Sequence, residues 1–295
     1  MLEIRSLTGR HELDLFRTFP SSLNAEFDAD LEAGRRRLDW MWLALRDGAP
    51  VARVAWWRRN DSEKPLLMDV FDLESPEVGQ ALLEHAVPRV AEGAPPPFLR
   101  FVPPDWRDHD TTWLETLEKT GARPLVERLR LEWRPGTPIA PTTLEFREPA
   151  GRDELVGLMT LVTEGSLDAH TQSDLKTMSP REQAEFQYDD ELALYGTPRE
   201  WWRVALVDGE PAGFVIPARN SYNPIIAYIG VVPAHRGKGV VGELLAEGTR
   251  ILAAEDVPRI RAATDVTNVP MARAFAKGGY LTIEHQVDMI WERPL

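Results

Sequence analysis

Residues 228–242 read YIGVVPAHRGKGVVG, and the rest of the chain can be understood outward from this segment. It continues an apolar run rich in β-branched side chains, which predicts a buried strand that ends at Pro233. After the glycines, apolar residues recur with helical spacing at Val240, Val241, Leu244, Leu245, Ile251 and Leu252. The first N–H groups of a helix have no intrahelical partner, and the helix dipole is positive there. The segment therefore predicts an anion site at a helix start.

The turn carries the residue types that a phosphorylated ligand requires. Gly237 and Gly239 let a ligand approach the backbone, while Arg236 and Lys238 add positive charge. The three glycines of Gly237-x-Gly239-x-x-Gly242 also match the dinucleotide-binding fingerprint. However, the residues PAHR separate the first glycine from the strand. The fingerprint also requires an acidic residue at the end of the next strand about 20 positions on, whereas Glu255 and Asp256 lie before the next predicted strand. Nicotinamide dinucleotide binding is therefore the weaker alternative.

A second pattern on the same residues is Arg236-x-x-Gly239, preceded by Val-x-Pro. It resembles the pyrophosphate loop of the GNAT superfamily of acyl-CoA N-acyltransferases, although Val241 stands where that family usually has Gly or Ala. The resemblance implies that acetyl-CoA, or another acyl-CoA, is the cofactor. The cofactor-binding residues that it implies here are Ile229, Gly230, Val231, Val232, Arg236, Gly237, Lys238, Gly239, Val240, Val241 and Gly242.

The segment NVPMARAFAKGGY, residues 268–280, resembles a second motif of the family. In that motif an Asn meets the pantetheine, and a Tyr protonates the leaving thiolate. Asn268 fits the motif, whereas Phe275 occupies the position of the Tyr, and both are expected to line the cofactor. A replacement proton donor is expected at Tyr228, with Tyr222 and Tyr280 as further candidates. Oxyanion stabilisation is expected from a backbone N–H of residues 229–232.

The general base is not marked by a strong pattern, and several candidates stay open. Asp265 follows a predicted strand at residues 260–264, but it could instead cap the helix that begins near Asn268. Glu164, Asp168 and His170 are further candidates in a polar segment, residues 164–174, which is expected to be irregular and to cover the substrate. The catalytic candidates are therefore Tyr228, Asp265, Glu164 and His170.

Composition narrows the class of protein. The chain has 295 residues, a net charge of −13 and no Cys, which excludes disulfides and thiolate chemistry and fits a cytoplasmic protein. The negative charge argues against nucleic acid or an anionic membrane as partner and favours a cationic substrate such as a small-molecule amine. No metal-ligand spacing is present, so no metal is expected. The oligomeric state stays open between monomer and homodimer.

Internal repeats indicate a duplicated domain. LEIR at residues 2–5 is echoed by LEFR at 144–147, and ALRDGAP at 44–50 by ALVDGEP at 205–211. Asp-Gly between apolar runs predicts a hairpin in each half. A Pro-rich linker at residues 135–142 separates the predicted domains, 1–134 and 143–295. The predicted fold class is α/β (α+β mixed): two tandem GNAT-like domains, each a twisted mixed sheet flanked by helices.

The two halves differ at the cofactor turn. In the N-terminal half this turn is acidic, with Asp72, Glu74 and Glu77, and it lacks the glycines and the arginine. That copy is expected to be degenerate and without cofactor. The whole chain is predicted to transfer an acetyl group from acetyl-CoA to a primary amine of a small molecule. The alternative is a catalytically weak acyl-CoA sensor or scaffold protein.

Overall fold

The computed structural model describes residues 1–59 and 62–295, and it divides them into two compact units. The N-terminal unit contains Met1–Val126 and Gln286–Leu295, and the C-terminal unit contains Glu127–His285. Within the described residues, no helix is both long enough and apolar enough to cross a bilayer. Each unit is a mixed sheet with helices packed against it, as the sequence predicts.

The N-terminal unit begins with an edge strand and two short helices. Its elements are β1 (Leu2–Ser6), α1 (Leu13–Phe16), α2 (Phe27–Glu32), β2 (Met41–Arg46), β3 (Ala49–Trp57), β4 (Leu67–Leu73), α3 (Pro76–Val90), β5 (Phe98–Val102) and α4 (Thr112–Lys119). Its strand order is β1-β2-β3-β4-β5. The turn between β2 and β3 has positive φ at both Asp47 and Gly48, which confirms the predicted hairpin.

The C-terminal unit includes most of the last strand of the first half of the sequence, and its own elements then follow the same order of strands and helices as the N-terminal unit. The elements that lie wholly in it are β7 (Glu145–Arg147), α5 (Arg152–Thr163), α6 (Ala169–Asp174), α7 (Pro180–Asp190), β8 (Arg203–Val207), β9 (Glu210–Arg219), β10 (Pro224–Val231), α8 (Val240–Ala253), β11 (Ile260–Asp265) and α9 (Val269–Lys277). Two strands lie partly in it: β6 (Arg123–Trp133), most of which belongs to this unit, and β12 (Leu281–Ile290), whose second half belongs to the N-terminal unit. The strand order is β6-β11-β10-β9-β8-β7. Asp208 and Gly209 repeat the positive-φ hairpin.

The two halves of the chain exchange their final strands. β6 pairs with β11 along its length, from Ile260 opposite Trp133 to Asp265 opposite Arg128. In return, Val287 and Met289 from the second half of β12 pack in the core of the N-terminal unit. The compact units therefore differ from the predicted domains 1–134 and 143–295, because strand pairing assigns β6 to the second unit although it precedes the linker.

The helices of the C-terminal unit cover two faces of the sheet. On one face, α8 and α9 bury Leu244, Leu245 and Phe275 against the strands. On the other face, α5 and α7 bury Leu155 and Ala184. The predicted glycine-rich turn connects the sheet to α8, and the site described below lies around this turn.

Candidate active site

The glycine-rich turn has the backbone conformation that its sequence predicts. Gly237 and Gly239 have φ values of 74° and 87°, in the left-handed region that favours glycine. Gly239 is the N-cap of α8, and the N–H of Gly242 donates to its carbonyl at 3.0 Å, which leaves the N–H groups of Val240 and Val241 without an intrahelical acceptor. A Cβ at Gly237, Gly239 or Gly242 would meet nothing within 4 Å. The turn therefore exposes a helix start with open space in front of its glycines.

The side chains around the turn divide into buried and exposed ones. Val240 is buried in the core, and Val241, which departs from the family pattern, is half-buried. Lys238 is exposed. A cation beside free helix N–H groups suits an anionic ligand with two phosphates. The residue types and the backbone therefore fit a pyrophosphate.

Arg236 is placed differently from the expectation that its charge faces a phosphate. Its Nε donates to the carbonyl of Val231 at 3.1 Å, its Nη1 to the carbonyl of Glu164 at 2.6 Å, and its Nη2 to the carbonyl of Val162 at 2.9 Å. The guanidinium thus binds the backbone at the end of α5. The sequence could not show this contact because Glu164 lies 72 positions away.

The strands β10 and β11 separate beside the turn. In the described part of the chain, their parallel ladder has a single register pair, Ile225 opposite Arg261. The edge of β10 that faces β11 is therefore left without a strand partner along Ile229 and Val231. On β11 the small side chains of Ala262 and Ala263 follow the paired residue. An extended amide-containing chain such as pantetheine could pair with this open edge.

A β-bulge in β10 sets the direction of Tyr228. The register with β9 shifts between Ile226 and Tyr228, so Ala227 is the extra residue. Both Ala227 and Tyr228 then pack with the cluster under α5 and α7, and the Tyr228 ring meets Phe214 edge-on at 5.1 Å. Simple strand alternation does not predict this arrangement, because the bulge is not visible in the sequence.

The environment of Tyr228 favours its protonated form. Burial raises the pKa of Tyr228, and the carboxylates of Asp168 and Glu191 raise it further. A phenol with a raised pKa keeps its proton at neutral pH. Tyr228 is therefore protonated at neutral pH, as a proton donor must be, although the raised pKa also makes it a weaker acid. Its role toward the thiolate stays a prediction.

Asp265 is a buried carboxyl at the end of β11, with 1% of its surface exposed. Its Oδ2 accepts the N–H of Ala169 at 2.7 Å, and the Nε of Arg128 lies 3.2 Å from its Oδ1. Burial raises the pKa of Asp265 most strongly and Asp168 adds to the rise, while the Ala169 N–H, Arg128 and His170 oppose it. A raised pKa brings this carboxyl closer to the range in which a general base works.

The helix α9 is capped by Asn268 and not by the side chain of Asp265. The side chain of Asn268 accepts the N–H of Met271 at 3.3 Å, which satisfies one of the free donors of the helix start. The capping role considered for Asp265 is therefore wrong. The pantetheine contact expected of Asn268 stays a prediction.

Residues 164–174 include a short helix, whereas the sequence predicts an irregular segment. Asp168 caps α6 by accepting the N–H of Thr171 at 2.8 Å, and α6 begins directly after it. His170 lies in α6, while Glu164 ends α5 and is exposed. The segment is thus held at Glu164 through Arg236 and at Ala169 through Asp265. We call residues 164–174 the roof.

Two acidic residues, Asp174 in the roof and Glu191 near Tyr228, are absent from the sequence-based candidates. Burial raises the pKa of Asp174, and Asp168 adds to the rise, whereas a hydrogen bond from Gln183 and the nearby His170 oppose it. Glu191 acts on Tyr228 in the same sense. The His170–Asp174 spacing is that of one helical turn, but a polar segment without apolar periodicity gives no reason to expect a helix.

Phe275 and Tyr280 lie in the core of the C-terminal unit. They are 1% and 2% exposed, and their rings meet edge-on at 5.2 Å. The hydroxyl of Tyr280 lies 2.8 Å from Oγ1 of Thr249. Tyr280 is therefore not available as a proton donor, and Phe275 is packed among apolar side chains.

The corresponding cleft of the N-terminal unit is occupied by a side chain of that unit. Among the residues that the structure describes, β4 and β5 also share a single register pair, Met68 opposite Phe98. From β5, Arg100 donates to the carbonyl of Phe71 at 2.6 Å and to Oδ1 of Asp72 at 3.0 Å. Its guanidinium lies 5.1 Å from the ring centre of Trp113. Where β11 has alanines, β5 thus has an arginine that fills the space beside β4.

Known proteins show the same fold. Residues 166–280 match the sequence profile of the Acetyltransferase (GNAT) family. No curated protein matches the chain significantly. A GCN5-related N-acetyltransferase from Sphaerobacter thermophilus is 14% identical, with a TM-score of 0.62 over 99% of this chain and 96% of that one. A tandem GNAT protein from the clavulanic acid biosynthesis pathway is 16% identical, with a TM-score of 0.52 over 98% of each chain.

A third solved structure is similar over part of its own length. It is a glucosamine N-acetyltransferase region in a fungal multi-domain β-N-acetylglucosaminidase, 14% identical, with a TM-score of 0.56 over 98% of this chain and 38% of that one. At these identities the likeness concerns the fold, and it extends over nearly the whole chain. Residues 166–280, which match the GNAT family profile, contain both the glycine-rich turn and most of the region where β10 and β11 separate.

Proposed function

We propose that this protein is an N-acetyltransferase that moves an acetyl group from acetyl-CoA to a primary amine of a small molecule. The observation that carries the proposal is the helix start of α8 beside the open edge of β10. Such a site offers the N–H groups of Val240 and Val241 to a pyrophosphate and the backbone of β10 at Ile229 to the pantetheine amides. Acetyl-CoA supplies an acyl group that is activated as a thioester.

The residues of this chain would supply proton transfer and charge stabilisation. The carboxylate of Asp265 would accept the proton that an ammonium must lose before its nitrogen attacks. A backbone N–H of residues 229–232 would stabilise the oxyanion. The hydroxyl of Tyr228 would donate a proton to the departing sulfur. Glu164 and His170 remain weaker candidates, since Glu164 is exposed and contributes its carbonyl to Arg236.

The acceptor would bind between the sheet and the roof. Asp168, Asp174 and Asp265 make this region acidic, and the chain as a whole has a net charge of −13. Both favour a cationic amine over an anionic or neutral acceptor. The cytoplasmic location expected from the absence of Cys stays a prediction.

Calorimetry and turnover together test the proposal. We expect acetyl-CoA and desulfo-CoA to bind, and NADH not to bind. Acetyl-CoA turnover against a panel of mono-, di- and polyamines, followed as released thiol, is expected to favour amines with more than one positive charge. Binding of coenzyme A without turnover of any amine would support the alternative of a sensor or scaffold, in agreement with the buried Phe275 at the position of the family's tyrosine. Binding of NADH alone would refute the cofactor assignment.

A further inference from the structure

Arg236 occupies the position of the cofactor motif at which a phosphate contact is expected, but its contacts lie elsewhere. All three nitrogen atoms of its guanidinium donate to backbone carbonyls, those of Val162, Glu164 and Val231. Carbonyls in the last turn of a helix have no intrahelical partner, and the dipole is negative there. α5 ends at Thr163, so Arg236 satisfies and neutralises the end of α5.

These contacts connect the cofactor turn to the roof. Val231 and Arg236 belong to the strand and turn that precede α8, whereas Glu164 is the first residue of the roof. At Gly165 the chain has a φ of +61°, and a Cβ there would lie 3.4 Å from Nη1 of Arg236. The chain therefore turns directly over the guanidinium.

The other end of the same short segment is fixed by Asp265. Its carboxylate accepts the N–H of Ala169 at 2.7 Å, five residues after Glu164. Asp168 and His170 lie on either side of this anchored residue. Two contacts thus fix the roof: Arg236 holds it from the cofactor turn, and Asp265 holds it from β11. Together they set the position of the acidic groups that would face the acceptor.

We infer that Arg236 is a positioning residue: its guanidinium holds the roof on the cofactor turn and thereby positions the acceptor side of the site. The side chain of Arg236 is not a ligand of the cofactor phosphates. This inference rests on the proposed function, which identifies the glycine-rich turn as the coenzyme A site and the region under the roof as the acceptor site. Three of the five N–H donors of the Arg236 guanidinium are bonded to carbonyls, two of them at the end of α5, and these bonds orient the group toward that helix end. The exposed Lys238 and the N–H groups of Val240 and Val241 at the start of α8 would carry the phosphate contact.

Hydrogen exchange and calorimetry test this role in the full chain. In Arg236→Lys and Arg236→Gln, we expect faster amide exchange in residues 162–169 and a nearly unchanged Kd for coenzyme A. Lys238→Gln is the matched control on the same turn. It should show the reverse: exchange as in the wild type and an affinity for coenzyme A lower by about 10-fold or more, as expected when a charged hydrogen bond is lost.

Kinetics separate positioning from a general loss of structure. With the amine that gives the highest turnover in the panel above, Arg236→Lys should raise the KM for the amine and leave the KM for acetyl-CoA close to that of the wild type. If Arg236→Gln does not fold, Arg236→Lys decides, because it keeps the charge at the end of α5. A loss of coenzyme A affinity of about 10-fold with unchanged exchange in residues 162–169 would overturn the inference. Unchanged exchange and unchanged KM values would overturn it as well. If the wild-type protein binds no coenzyme A, the proposed function fails, while the exchange measurement still decides whether Arg236 holds the roof.

Discussion

Gly242 lies in the first turn of α8, exposed and with open space where a Cβ would be. Gly242→Ala should therefore stabilise the helix by about 1 kcal/mol and keep most of the coenzyme A affinity. Gly242→Asp places a carboxylate at the positive end of the helix dipole, which stabilises the free protein by about 0.3–1 kcal/mol. The same carboxylate opposes a pyrophosphate, so coenzyme A affinity should fall.

The stability and the affinity of Gly242→Asp are thus expected to change in opposite directions. Thermal unfolding without ligand and calorimetry with coenzyme A measure the two effects. Gly242→Asn is the control of equal size without the charge. If Asn and Asp weaken binding equally, side-chain volume and not charge is responsible, and the anion site is placed wrongly.

Asp265 should make stability depend on pH in a defined direction. Because its pKa is raised in the folded protein, the folded state binds more protons than the unfolded state from the ordinary aspartate range up to the raised value. Stability from this group is therefore lost as the pH rises through that window. Asp265→Asn removes this dependence and still offers an oxygen to the N–H of Ala169.

Urea unfolding of wild type and Asp265→Asn between about pH 4 and pH 7 measures this effect. The variant should gain stability relative to the wild type as the pH rises. In the pH profile of kcat/KM, the rising limb of the wild type should lie above the ordinary aspartate range and be lost in the variant. A stability difference that does not change with pH would contradict the role of the buried carboxylate.

The two aromatic residues considered for proton donation give opposite predictions. Tyr228→Phe should lower turnover, within the roughly 10²–10⁴-fold range of acid–base assistance, with nearly unchanged coenzyme A affinity. Phe275→Tyr adds a hydroxyl among apolar side chains, which costs about 1–3 kcal/mol if it finds no partner. It should lower the melting temperature without raising turnover. A gain in turnover for Phe275→Tyr would show that the position is reachable from the thioester.

At the level of elements, the turn before α3 has no glycines and the turn before α8 is rich in them, which predicts one cofactor per chain. α3 begins after an acidic turn with Glu74 and Glu77, and Arg100 fills the space beside β4. Calorimetry with coenzyme A should give a stoichiometry of one for the wild type. Arg100→Ala should leave this value at one, because the acidic turn still repels a pyrophosphate. A value of two for the wild type would refute the assignment of a single site.

Local patterns predicted the elements around the site well. Apolar periodicity correctly predicted α8 and its start at the glycines. Asp-Gly between apolar runs correctly predicted the β2–β3 and β8–β9 hairpins. The sequence did not show the bulge at Ala227, because an extra residue in a strand does not change its composition. It also did not show α6, whose helix is stabilised by Asp168 and by the contact with Asp265 and not by apolar spacing.

Contacts between residues that are far apart in the sequence could not be predicted from it. The bond from Arg236 to Glu164 and the filling of the N-terminal cleft by Arg100 depend on how separate elements meet. The roles of Tyr228 and Asp265 as donor and base stay predictions that the variants above examine.

At the level of the whole molecule, the exchanged strands predict how fragments behave. A chain of residues 143–295 lacks β6, which pairs with β11 at six positions from Arg128 to Trp133. This fragment should therefore unfold without a cooperative transition or aggregate through the free edge of β11. A fragment of residues 123–295 restores β6 and should unfold more cooperatively. If residues 143–295 alone bind coenzyme A and melt like the full chain, β6 is not required for the C-terminal unit.

The strand exchange also has a consequence for synthesis on the ribosome. Most of the N-terminal unit is made first, but it is completed by Gln286–Leu295, which are made only after the whole C-terminal unit. At about 5–20 residues per second, the residues between Val126 and Gln286 take roughly 8–30 s to translate. During this interval β5 waits for β12 as its neighbour. A nascent chain that has exposed only its first half therefore presents the unpaired edge of β5, and chaperones that bind such edges can act on it until β12 has been made.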